Sequence, residues 1–124
     1  ITIRFTAESQ HTSPASLVNL MPNTFTVNLY PVPTDGGTDE RLTVSTSVVQ
    51  FATTWYDEDT KFVFVDVQGA DIMVTFDGSD PSASNGHKFA SGFRGFWSAR
   101  QADAAKMIRA GGTDAAVQAS PFTV

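Results

Sequence analysis

Short runs of alternating apolar and polar residues, cut every few positions by Gly, Pro, Asp or Asn, constrain a chain of this kind to antiparallel strands. Thr24–Tyr30 alternates strictly and puts Phe25, Val27 and Leu29 on one face. Ile1–Thr6 alternates as well. Lys61–Val67 is almost continuously apolar, the pattern of a central strand covered on both sides. Asp71–Phe76 follows after Gln68-Gly69-Ala70, a connection of hairpin length. A further strand is expected over Leu42–Thr53, where the apolar face switches at Val48-Val49 and predicts a bulge or bend. Asp77–Gly86 is almost pure turn chemistry. His87–Phe96 resumes as a strand interrupted at Gly92, and Thr113–Ala119 returns as a last one limited by Pro121.

One helix is expected, over Ala99–Arg109. Ser98 and Gln101 form a capping box, and Trp97, just before the cap, is placed to staple onto Ala102. Gln101, Ala104, Ala105 and Ile108 share one helical face, with Arg109 complementing the C-terminal dipole and Gly111 as the stop. The order of strands, more strands, a late helix and a final strand predicts a mainly β fold. It is a β-sandwich or small barrel with one α-helix in its C-terminal half. The 124 residues fit one domain over 1–124, with residues 8–16 as a polar arm or loop.

Composition narrows the function classes. Eight basic against 13 acidic residues leave a net charge of −5, which argues against a basic nucleic-acid face. No apolar run approaches the roughly 18 residues of a membrane span. Ile1-Thr-Ile-Arg-Phe5 has neither the charged nor the long apolar region of a signal peptide. There is no cysteine, so disulfides and thiolate chemistry are excluded.

The remaining chemistry-bearing residues are sparse. His11 and His87 lie far apart, and no Gly-x-Ser-x-Gly elbow accompanies them. Asp57-Glu58-Asp59 and Asp77-Gly-Ser-Asp80 crowd hard oxygens, but Asp and Ser also nucleate turns by bonding their own backbone. The expectation is therefore no catalytic residue, no cofactor and no metal. The aromatics Trp55, Tyr56, Phe93, Phe96 and Trp97 fit a core, a sugar platform or a subunit interface. Phe93, Arg94, Phe96 and Trp97 are the candidate interface, because Gly92 and Gly95 beside them leave room for another backbone. Residues 8–16 and Thr34–Glu40 are candidate docking arms.

Two segments carry a resemblance. One is Ala70-Asp-Ile-Met-Val-Thr-Phe-Asp-Gly-Ser-Asp-Pro-Ser-Ala-Ser-Asn-Gly-His-Lys-Phe89; the other is Ala105-Lys-Met-Ile-Arg-Ala-Gly-Gly-Thr-Asp-Ala-Ala-Val-Gln-Ala119. Together they resemble small structural virion proteins of tailed bacteriophages. Those carry a "Thr-x-Asp-Gly-Ser-x-Pro-Thr/Ser-Ala-Ser-x-Gly" turn and then a helix leading through "Ile-Arg-x-Gly-x-Thr-Asp-Ala" into a last strand. The resemblance implies a β-sandwich that is not an enzyme. It would reside in the virion as a capsid-decoration or head–tail connector subunit, with self-association and capsid, portal or neck proteins as partners. A second, shorter likeness covers Val74-Thr-Phe-Asp-Gly-Ser-Asp-Pro81. It is similar to immunoglobulin-like accessory modules associated with carbohydrate binding in glycosidases, though the downstream helix does not fit those modules.

Overall fold

The computed structural model describes residues 2–6, 24–55 and 59–124. The strands are β1 (Thr2–Thr6), β2 (Thr24–Asn28), β3 (Val32–Pro33), β4 (Glu40–Val44), β5 (Phe62–Gln68), β6 (Ile72–Thr75), β7 (His87–Phe89), β8 (Arg94–Ser98), β9 (Lys106–Arg109) and β10 (Ala115–Thr123). One helix, α1 (Ala99–Ala104), lies between β8 and β9. The expected arm, residues 8–16, and the acidic pair Asp57-Glu58 lie outside the described residues.

The chain, read from sequence as one domain, divides into two compact units: Ile1–Pro31 with Val124, and Val32–Thr123. In the first, β1 and β2 pair antiparallel in unbroken register, from Thr2 opposite Asn28 to Thr6 opposite Thr24. The second unit holds two antiparallel sheets. The larger runs β3–β10–β5–β8, with β4 also on β10; the smaller runs β7–β6–β9. The fold is mainly β with one short helix, in a sandwich-like arrangement, as the alternation predicts.

Period-two alternation decides which side of the larger sheet is buried. Val63, Val65 and Val67 of β5, Val117 of β10 and Val44 of β4 are wholly buried. They form one core with Ile72, Val74 and Met107 of the smaller sheet. Trp55 joins them with its ring edge-on to Phe51 at 4.7 Å. Its backbone N–H donates to Asp103 Oδ1 at 3.1 Å, while its buried indole N–H has no acceptor among the described residues.

Several local expectations are corrected. Gln68-Gly69-Ala70 does not close a hairpin: β5 pairs with β10 and β8, and β6 with β7 and β9. Gly69, at φ +85°, turns the chain from one sheet into the other. The strand expected over Leu42–Thr53 ends at Val44, and beyond it only Val49 makes an isolated bridge, to Met107. Glu40 holds that crossing down, its carboxylate accepting from the backbone N–H groups of Ala52 and Thr53 at 2.8 and 2.9 Å. The interruption expected at Gly92 is present: β7 belongs to the smaller sheet and β8 to the larger.

The helix keeps its expected start and loses its expected end. Ser98 Oγ accepts from Gln101 N–H at 3.0 Å, and Gln101 Oε1 accepts from Ser98 N–H at 3.1 Å. Both Trp97 and Ala102 lie in the core, as the staple requires. The helix stops at Ala104, because Ala105 turns to φ −65°, ψ 123°. Residues 106–109 are strand β9, bonded on both sides. Thr75–Ile72 pair along one edge; along the other, Met107 exchanges backbone bonds with Val49, and Arg109 N–H donates to Ser45 O. Arg109 therefore caps no helix; it pairs with Asp114 at 2.7 Å.

Pro121 sits inside β10 rather than ending it. Its carbonyl accepts from Thr34 N–H at 3.0 Å, and in a strand a residue's nitrogen and carbonyl point the same way. Its missing N–H thus faces the gap between β4 and β3, and the ladder to β5 loses nothing.

Candidate functional site: a phenylalanine face on the larger sheet

The alternation that buries the valines turns their neighbours outward. On β5 these are Phe62, Phe64, Asp66 and Gln68. In register with them stand Phe122, Ser120, Gln118 and Ala116 of β10, and Ser98, Phe96 and Arg94 of β8. Four of the chain's ten phenylalanines therefore meet on the outer face. Phe96 is 5.2 Å from both Phe64 and Phe122, and 6.1 Å from Phe62, all edge-to-face. Three of the rings are half-buried against one another; Phe96 is 45% exposed.

A polar row bounds this patch along the sheet. Arg41 of β4 donates from one guanidinium nitrogen to Gln68 Oε1 at 2.9 Å and Gln118 Oε1 at 3.4 Å. Gln68 Nε2 donates to Asp66 Oδ2 at 3.0 Å. Arg94 approaches Asp66 at 3.7 Å from the other side, with its side chain 71% exposed. Two arginines thus flank one aspartate, on the surface of a chain whose net charge is −5.

The four expected interface residues divide between the two sides of β8. Phe96 and Arg94 are on the outer face. Trp97 is only 3% exposed, and this is a correction to its expected role: it packs in the core, 5.3 Å from Phe76 and 5.2 Å from Phe89. Phe93 is corrected likewise, since it packs against the core with its ring 4.9 Å from Phe89. Gly95 makes room for that ring rather than for another backbone, because a Cβ there would lie 2.9 Å from Phe93 Cζ. Phe62, Phe64 and Phe122 were not among the expected residues. The signal that finds them is Phe-Val-Phe-Val over 62–65, with aromatics at one parity and β-branched residues at the other.

The turn Asp77–Gly86 is wired to itself. Asp77 accepts from both the N–H and the hydroxyl of Ser79. Asn85 Nδ2 donates to Asp80 O at 3.1 Å, and Lys106 Nζ donates to Gly78 O at 2.9 Å and approaches Asp80 Oδ1 at 3.3 Å. His87 lines a shallow cleft of about 440 Å³ with Asp77 and Asn85, its ring 6.1 Å from Phe76. Among the described residues, no three His, Asp or Glu side chains gather as a metal site would need. Of the expected docking arms, residues 8–16 lie outside the described residues. In Thr34–Glu40, Asp35–Asp39 are exposed, and Gly37 N–H closes a turn on Thr34 O at 3.0 Å.

The Ser79 hydroxyl and N–H hold the Asp77 carboxyl below its ordinary value of 3.8. The Ser91 N–H, with Lys88 beside it, does the same for Asp71. A lowered folded-state value means that the stabilisation is present above the unfolded value and is lost as pH falls through the folded one. Melting temperature is therefore expected to fall as pH drops through and below 3.8. The gap between wild type and the Asp71→Asn, Asp77→Asn double variant should close over the same range. A gap that stays constant with pH would show that these bonds do not depend on ionisation.

No known protein family, characterised protein or solved structure matches the chain.

Proposed function

We propose that this chain is a non-enzymatic structural subunit that docks in many copies on a larger particle through the outer face of its larger sheet. The observation that carries the reading is the Phe62–Phe64–Phe96–Phe122 cluster, with Phe96 left 45% exposed at its centre. An exposed aromatic cluster bordered by arginines has the composition of an interface core and its rim. The particle we propose is the virion of a tailed bacteriophage, with capsid, portal or neck proteins as neighbours. The resemblance of residues 70–119 supports that choice. Mass action supplies the mechanism, as each docked copy stabilises the assembled state by the surface it shields.

The ring geometry counts against a carbohydrate platform. The outer rings cross at 57–80° and offer no flat shared plane for a sugar face. The test is Phe96→Asp, scored for incorporation into particles and for melting of the isolated chain. The expected result is a folded variant that no longer incorporates. Incorporation at the wild-type level would overturn the reading.

A further inference from the structure

We infer that one occupant of the phenylalanine face is a second copy of this chain, related by a two-fold axis lying between β5 and β8 and parallel to them. The inference rests on the docking role proposed for this face and names the partner.

It is carried by the register. Asp66 stands directly opposite Arg94, and Phe64 directly opposite Phe96, across the same pair of strands. A two-fold along that pair lays each β5 over the partner's β8. One operation then sets Arg94 against the partner's Asp66 and Phe64 against the partner's Phe96, each contact occurring twice. An isologous interface requires this kind of self-complementary patch. The two residue pairs are only two positions apart. The angle of about 30° between aligned packed sheets therefore does not pull one contact apart while the other forms.

The charges are suited to the exchange. Arg94 meets Asp66 within the chain only at 3.7 Å, and its side chain is 71% exposed, so its guanidinium retains donors for a second carboxylate. The outward positions of β4, β5, β8 and β10 carry Arg41, Arg94 and Asp66, a local balance of +1. Two copies of a chain whose net charge is −5 repel each other over most of their surfaces, whereas the Arg94–Asp66 exchange on this face sets opposite charges together. Two five-residue strand segments cover on the order of 160 Å², well below the ~800 Å² per partner of a standard interface. The contact is accordingly weak between free chains and gains strength where an assembly holds copies side by side.

Charge reversal tests it on the full chain by sedimentation equilibrium, at protein concentrations up to about 1 mM. Wild type is expected to dimerise reversibly. Arg94→Glu alone sets like charges against the partner's Asp66, and Asp66→Arg alone sets like charges against the partner's Arg94. Each is expected to raise the dissociation constant by about tenfold or more. An equimolar mixture of the two variants restores opposite charges at both contacts, and association should return towards wild type. Melting curves check that each variant folds, and Asp66→Lys replaces Asp66→Arg if the latter melts early. A mixture that associates no better than the single variants overturns the two-fold pairing. A wild-type chain that stays monomeric throughout overturns the second-copy proposal. If Phe96→Asp still abolishes incorporation in that case, the docking role stands with a different protein as the occupant.

Discussion

Replacing Trp97 by alanine is expected to cost roughly 3–5 kcal/mol of folding stability, the range for truncating a buried large aromatic. Replacing Phe96, its immediate neighbour, is expected to cost about 1 kcal/mol, the scale of its aromatic contacts on a solvated face. The contrast follows from the strand alone. Trp97 points into the core at 3% exposure and packs edge-on against Phe76 and Phe89, whereas Phe96 points outward at 45%. Chemical denaturation of the two variants measures both quantities in one experiment. Equal losses would mean that β8 does not present its two faces as the register requires. Under the docking role proposed for this face the functional consequences are expected to run the other way: the mild Phe96 change disables docking, and the severe Trp97 change disables folding.

A second pair of neighbours tests whether residues 106–109 are strand or helix. In a helix carried on to Arg109, Ile108 would share the inner face with Ala104 and Ala105, and Met107 would not. In β9 the assignment reverses, with Met107 wholly buried and Ile108 only half-buried. Met107→Ala is expected to cost about 2–5 kcal/mol, and Ile108→Ala distinctly less. Urea unfolding of the two variants decides the matter; a costly Ile108 beside an indifferent Met107 would restore the longer helix. The strand prevails because its four residues find backbone partners on both edges, at β6 and at Ser45 and Val49. Differences in intrinsic helix propensity of a few tenths of a kcal/mol per residue do not offset that many lost bonds.

What was legible in the chain was local. The central strand at Phe62 to Val67, the capping box at Ser98 and the break at Gly92 each depend on residues within one turn or one strand, and each appears where its pattern places it; the cover expected on both sides of that strand is corrected, since only its valine face is buried and Phe62 and Phe64 turn outward. Half of the expected interface residues were equally legible, since Phe96 and Arg94 are outward by parity once β8 is accepted as a strand. Trp97 and Phe93 were misplaced because the glycines beside them have two explanations. Only the ring of Phe93 lying over Gly95 shows that the space is used within the chain.

Pairing between distant segments decided everything else. Which strand neighbours β5, and so which residues complete the outer patch, depends on β10 arriving from the far end of the sequence with Phe122 beside Phe62. No local pattern at Phe122 states that, because a strand's alternation specifies its two faces and not its neighbours. The fate of Lys106–Arg109 was settled in the same way. Their own composition suits the end of a helix, but the open edge of β6 and the backbone at Ser45 and Val49 supply hydrogen-bond partners that exist only once the chain has folded around them.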